Sequence, residues 1–409
     1  MNLFAKVKRD IRSHESELTI QTDVFLFLYV AAFTTLQAPA GNNKYCNLIA
    51  VVFMALAALY CFINSSSLIS KFSVSFALFI AFAALSMLWS PVRGETKTTV
   101  ITFARLLVLN SLMYNFLDTQ KRKEHILRAF VVAGLTVTCV TVLYYGPANY
   151  ISYIKSGDRL GFGLYAINYV AFILIIASLI SLWFVMFRGK WWDIVPAAVC
   201  LYASIGTGSR ASILAFGIGV ILLVFFRLNG RWKLIVPVFC LLLVVAAFFV
   251  LQFPVFGSVH ERMKGFLAVF TGEGSVDGST VSRISLVKWG FEQFLKTPVI
   301  GRGISSGPAV MAEHGSGYAL YHNTYIELLA GGGIIGFCLY MFMFIYPLVK
   351  LIKPALQGED TAIIAVVLLL VYLVLFLFGS EYFEQATPVV ICYLFLTVSD
   401  LRKKKEACV

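Results

Sequence analysis

Long apolar runs separated by short polar turns recur along most of this 409-residue chain. A segment needs roughly 17–25 mostly apolar residues to cross a hydrocarbon core about 30 Å thick, and twelve runs meet or approach that length. They begin near Val24, Asn47, Ser73, Thr98, Ile126, Leu164, Ile194, Ala211, Leu234, Thr324, Thr361 and Ala386. The seventh is short and contains Pro196. The pattern predicts an all-α polytopic membrane protein of about 12 transmembrane helices, organised as one integral-membrane domain over residues 1–409 without an internal repeat. The first twenty residues are charged and no small-residue cleavage pattern follows the first apolar run, so that run is expected to serve as its own insertion signal.

Residues 253–323, between the ninth and tenth runs, break the pattern. Here residues 284–296 place Val287, Phe291, Phe294 and Leu295 on one helical face and Lys288, Glu292 and Lys296 on the other, and Pro298 ends the helix. Such a helix lies on the membrane surface or over a mouth between spans. The preceding stretch 270–280, FTGEGSVDGST, predicts a mobile segment.

Composition narrows the class. The chain is 59% hydrophobic and 13% charged, with a mean hydropathy of +0.84, which excludes a soluble domain. A net charge of +12 would suit nucleic acid, but the basic residues sit at the ends of apolar runs and are not interleaved with stacking aromatics, so no nucleic-acid partner is expected. The eight cysteines are scattered, with no CxxC and no Cys/His clustering, so neither a disulfide nor zinc is inferred. With both termini cytoplasmic, the inner segments hold nineteen Lys and Arg and the short outer loops six: Lys44, Arg93, Lys97, Lys155, Arg159 and Arg210. This asymmetry places the 253–323 loop outside the cell membrane.

Candidate chemistry collects on that outer side. Arg210 lies in the turn GTGSRAS, and an arginine at a membrane boundary needs water, headgroups or an anionic ligand. Arg105, about two turns below the outer surface, calls for an inward-facing acid or a ligand phosphate. Arg283 and Arg302 bracket the amphipathic helix; guanidinium groups bind phosphate oxygens in a two-pronged geometry, although for Arg302, in the turn GRG, ordinary loop charge is the simpler reading. His322 and Asn323 open the tenth run, with Glu327 one turn further in. An imidazole can take a proton from a hydroxyl near neutral pH, whereas a lone histidine at a helix start is more often a cap. His314 is a weaker candidate. No DxD occurs on the outer side and no P-loop, GxSxG or HExxH is present. The triplet Trp191, Trp192 and Asp193 resembles an oligosaccharyltransferase motif but lies at the cytoplasmic end of a run and lacks the following Tyr-Gly, so it reads as an interfacial aromatic belt.

The turn SRAS before a span, the SR start of an amphipathic helix leading through TP into GRG, and HN followed by a span containing GGGIIG together resemble the O-antigen ligase and polymerase superfamily of bacterial surface-polysaccharide assembly. The segment DRLGFGLYAINYVA, with Arg159, is similar to a stretch of that family too. The resemblance covers roughly the second half of the chain. It implies a GT-C type membrane glycosyltransferase of the bacterial inner membrane that works without metal, cofactor or nucleotide sugar. Its donor would be a glycan on undecaprenyl diphosphate, its acceptor a second lipid-linked repeat unit (polymerase, slightly preferred) or lipid A core or another anchor (ligase), and membrane lipids and a chain-length regulator would be further partners. Carried over, Arg210 and Arg283 match arginines that hold the diphosphate and His322 matches the general base; apart from that match, Arg105, Arg159, Arg302, Asn323 and Glu327 are candidate substrate contacts from their own positions. A twelve-span transporter or flippase is the competing class; it requires ionisable residues lining a mid-membrane path and two symmetric halves.

Overall fold

The computed structural model describes residues 15–36, 44–156, 167–228, 230, 278–380, 382 and 384–407, and the structural statements below concern these. The helices are α1 Glu15–Leu36, α2 Lys44–Ile63, α3 Lys71–Ser86, α4 Arg93–Phe116, α5 Gln120–Tyr145, α6 Pro147–Ser156, α7 Ile167–Arg188, α8 Ile194–Gly206, α9 Arg210–Arg227, α10 Gly278–Lys296, α11 Gly307–Glu313, α12 Thr324–Leu356, α13 Asp360–Leu375 and α14 Ala386–Ala407. Eleven of the twelve expected runs coincide with helices; the run from Leu234 lies outside the described residues, as do Arg159 and residues 270–277 of the expected mobile stretch. The amphipathic helix begins at Gly278, six residues before the apolar periodicity becomes legible.

Six helices, α2, α4, α5, α7, α9 and α12, are long and apolar enough to cross a membrane, fewer than the twelve expected from apolar runs. Of the remaining runs, the ninth lies outside the described residues, α1 and α14 are long enough at 22 residues but charged at one end, and the other three are too short. Helices α3 and α13 have 16 residues each and α8 has 13, so they extend about 20–24 Å at 1.5 Å per residue, short of a 30 Å core. Helix α13 is nonetheless central: residues 362–369 are all buried. A helix that is apolar all round belongs inside a bundle, and α13 is packed by α7, α9, α12 and α14.

Ion pairs define one end of the bundle. Arg188, at the end of α7, reaches Glu124 at 3.0 Å and Asp360 at 3.2 Å. Arg128 pairs with Asp193, Lys123 with Asp400, and Lys404 with Glu359 at 2.7 Å. The 3₁₀ turn of Trp191–Asp193 sits here, its two tryptophans exposed and its Asp193 buried against Arg128. At the far end of α7, the Ser204 hydroxyl donates to the carbonyl of Ala171 at 3.3 Å. Residues 204–212 therefore sit opposite Arg188. Because α13 starts at Asp360 beside Arg188, its last residue, Leu375, also lies at the opposite end. Thr324 joins it there, donating its backbone N–H to Phe376 at 2.8 Å. The starts of α9 and α12 thus share one end of the bundle.

Helix α12 is broken at Gly333, whose backbone (φ 58°, ψ −165°) only glycine adopts without strain. The break lies roughly 14 Å along the helix, where unpaired backbone groups in lipid cost several kcal/mol each. The segment after α10 fills the gap. Arg302 N–H donates to Ala330 at 2.9 Å and Gly303 N–H to Gly331 at 2.8 Å, while Ile334 N–H donates to Pro298 at 2.8 Å and Ile335 N–H to Val299 at 3.2 Å. Such contact demands bare backbone on both sides. A Cβ on Gly301 would stand 2.4 Å from Gly331, and one on Gly333 would stand 2.4 Å from Val299. The α3–α4 hairpin seals the same segment: Trp89 donates its indole N–H to Gly301 at 3.2 Å, and the Thr96 hydroxyl donates to Ile304 at 2.8 Å.

Gly301→Ala and Gly333→Ala should each destabilise the protein by on the order of 2 kcal/mol or more, because both force an L side chain into a left-handed backbone and into another chain segment. Gly217→Ala, in α9 with nothing within 4 Å of the new methyl, is the control. Thermal unfolding in detergent should show a clear drop for the first two and none for the third; three equal midpoints would remove the glycine seam from the account.

Candidate active site

His322 occupies the turn into α12 with φ 53°. A left-handed conformation is uncommon for a non-glycine residue and persists only where its surroundings enforce it. Three neighbours do so. The backbone N–H of Tyr321 donates to Glu327 Oε1 at 2.8 Å, and the same oxygen accepts from the Ser380 hydroxyl at 3.0 Å. Asn323 caps α12, its Oδ1 accepting from Ile326 N–H at 3.0 Å while its Nδ2 donates to Leu377 at 3.1 Å. The Thr324 hydroxyl donates to Gly379 at 2.8 Å. The 321–324 turn is thereby tied to the 376–380 turn after α13, and His322 is the residue left facing outward, half-buried, with the Tyr318 ring edge-on at 6.0 Å.

Helix α10 lies over this turn. Gly290 permits the approach, since a Cβ there would meet Ile326 at 2.2 Å and Tyr321 at 2.8 Å. Leu286 is buried with Val310, Met311, Tyr321 and Ala330. One helical turn earlier on α10 stands Arg283, close enough for its charge to act on the imidazole of His322. Burial first, and the Arg283 charge second, hold the His322 pKa below its ordinary value. The ring is therefore neutral and able to accept a proton at neutral pH.

Arg210 is the first residue of α9, at the same end of the bundle. The turn before it is buried and held by hydroxyls: Ser212 Oγ donates to the Ser209 carbonyl at 2.7 Å, and Ser204 and Ser212 are bonded at 3.1 Å. Gly208, at φ 64°, lets the chain reverse there. The guanidinium thus joins a helix N-terminus, which itself favours anions.

Further candidates among the described residues are engaged as follows. Arg302 donates to Gln293 at 3.0 Å and to Glu313 Oε2 at 2.8 Å, fastening α11 to the end of α10 and holding the Glu313 carboxyl below its usual range. Arg105 donates one guanidinium N–H to Asn47 Oδ1 at 3.0 Å, between α4 and α2. Asn323 and Glu327 shape the turn. His314 stacks on Trp289, with ring centroids 4.5 Å apart and planes 3° apart. Among the described residues no group of three or more His, Cys, Asp or Glu side chains is placed to hold a metal ion.

Residues 195–341 match the family described as O-Antigen ligase. Over that segment the chain is similar to the O-antigen ligase family. The match supports a glycan-transferring membrane enzyme of surface-polysaccharide assembly. A search of curated proteins returned no match. The O-antigen ligase segment runs from the second residue of α8 into the middle of α12, past the Gly333 break. It contains Arg210, Arg283, Arg302, His322, Asn323 and Glu327, and leaves out Arg105 and Arg159. Sequence reasoning missed Ser380, Tyr318 and Trp289. Ser380 lies beyond the matched segment with no pattern around it, whereas Tyr318 sits in the Gly- and Tyr-containing stretch just before His322.

Two outcomes are expected. Glu327→Ala strands the Tyr321 N–H and the Ser380 hydroxyl, each at about 1–3 kcal/mol, while Glu327→Gln keeps an acceptor oxygen; the Ala variant should unfold at clearly lower temperature than the Gln variant. Removing the cation in Arg283→Gln should raise the His322 pKa toward the ordinary value of about 6.5. Histidine-labelled NMR, with His322→Asn to assign the signal, measures that shift, and an unmoved titration would separate the two residues.

Proposed function

We propose that this protein is a metal-independent, inverting glycosyltransferase that moves a glycan from undecaprenyl diphosphate to an acceptor hydroxyl at the extracytoplasmic face of the bacterial inner membrane. The observation that carries the reading is the pairing of a neutral, backbone-strained His322 with the Arg283 charge, at the bundle end where Arg210 begins α9. The charge asymmetry of the loops supports placing that end outside, with both termini cytoplasmic.

In this mechanism the donor's diphosphate is held by Arg210 and Arg283, with its lipid tail in the bilayer. His322 takes the proton from the acceptor hydroxyl as its oxygen attacks the anomeric carbon. The bond from that carbon to the diphosphate oxygen breaks, and its electron pair leaves with the lipid diphosphate. Guanidinium groups already in position where this negative charge grows lower the barrier. A single displacement inverts the anomeric carbon. The Arg283 charge serves both ends of the reaction: it steadies the leaving group and keeps His322 unprotonated until the acceptor arrives.

With a second lipid-linked repeat unit as acceptor, the protein is a polymerase; with lipid A core or another anchor, it is a ligase, and the family match supports glycan transfer in either case. The transporter alternative draws less support, because Arg105, the arginine within the span of α4, is engaged by Asn47.

Arg210→Ala, Arg283→Ala and His322→Ala should each lower transfer at least about 10²-fold without changing expression. Purified protein is given lipid-linked glycan, with and without an acceptor and a chelator, and product is followed by gel and mass spectrometry. Any variant with wild-type output leaves the mechanism, and loss of transfer on chelation would overturn metal independence.

A further inference from the structure

A groove of about 280 Å³ runs along the outer side of α10, between that helix and residues 314–318. Ser282, Ser285 and Trp289 of α10 line it together with His314 and Tyr318. Its chemistry is specific. Trp289 and His314 stack face to face, their planes 3° apart, so that each ring keeps one face uncovered by the other. Leu286, at 1% exposure, forms an apolar floor, while serine and tyrosine hydroxyls stand at the rim. Among the described residues its lining is uncharged apart from the His314 imidazole, a composition suited to an uncharged, hydroxyl-bearing ligand. The volume is at the small end of ligand sites.

We propose that this groove is a sugar subsite that takes one uncharged pyranose ring of a glycan chain. A pyranose carries C–H bonds on its faces and hydroxyls around its edge. The faces suit an aromatic platform, whose apolar body and π-face accept them, and the hydroxyls suit Ser282, Ser285 and the Tyr318 phenol. Position strengthens the assignment. Tyr318 lines the groove and also places its ring edge-on to His322, while Ser282 adjoins Arg283 in sequence. A glycan with its reacting residue at His322 can thus lay a neighbouring ring on Trp289. An acyl chain is a poorer fit: the groove is short, hydroxyl-rimmed and open, with Val281 50% and Tyr318 46% exposed.

This inference rests on the glycan-transfer reading for its biological sense, but its test does not. The full-length protein in detergent is titrated with oligosaccharides released by mild acid from the source cell's own surface glycan, and binding is followed by saturation-transfer NMR. Trp289→Ala removes the platform, Trp289→Phe keeps most of it, and Ser285→Phe fills the groove without removing a packed side chain. The expected result is at least a tenfold rise in half-saturating sugar concentration for Trp289→Ala and Ser285→Phe, with a rise below threefold for Trp289→Phe. Equal binding in wild type and in both disruptive variants, or no binding by wild type, overturns the subsite. Turnover assays then identify the source of the ring: a raised KM for the acceptor assigns it to the acceptor glycan, and a raised KM for the lipid-linked substrate to the donor glycan. Groove-dependent sugar binding in a protein that never consumes lipid-linked glycan would sink the transfer reading and leave the subsite standing. Glycan transfer indifferent to all three variants would sink the subsite alone.

Discussion

Everything at the His322 end of this bundle depends on how the break in α12 is paired. A membrane-embedded helix cannot leave carbonyls and N–H groups unmatched, and Gly333 leaves several. The 298–303 segment supplies the matching groups, with two hydrogen bonds on either side of the break. A loop that would otherwise lie on the surface becomes part of the bundle's interior, and what precedes it, helix α10, is held at a fixed height and angle. The Arg283 charge therefore acts on His322 from a helix whose C-terminal end is anchored by backbone pairing.

The arrangement separates rigidity from chemistry. Polar groups that shape the site are consumed by it: Glu327 by Tyr321 and Ser380, Asn323 by the helix start, Arg302 by Glu313 and Gln293. Each of these residues would look catalytic in a list of polar side chains near a membrane mouth. Their satisfied hydrogen bonds instead hold a strained histidine outward, and preorganised placement of this kind is what a transition state with growing charge rewards. At the other end of the bundle the same logic closes the structure, since Arg128, Arg188, Lys123 and Lys404 meet carboxylates there.

Gly290, Gly301 and Gly333 mark places where another segment touches the backbone itself, and all three lie in the matched O-antigen ligase segment. At Gly301 and Gly333 the neighbour is another backbone, and at Gly290 it is the side chains of Ile326 and Tyr321.

Much of this was legible in the residues. Apolar runs located the helices, because lipid imposes a length and a composition that can be counted; Lys and Arg placement suggested an orientation; and the order of SRAS, SR, GRG and HN pointed to the superfamily. Other features depend on distance in space. The pattern could not show that Arg105 meets an amide from α2, that α13 is wrapped on all sides although it is too short to span, or that GRG lies in the gap opened by GGG. Nor could it separate Glu327 and Asn323, which build the turn, from His322, which the turn presents. Composition and periodicity report what each residue prefers as its surroundings, whereas a partner 30 or 200 positions away is chosen by the packing of the finished bundle, and only tertiary structure decides that.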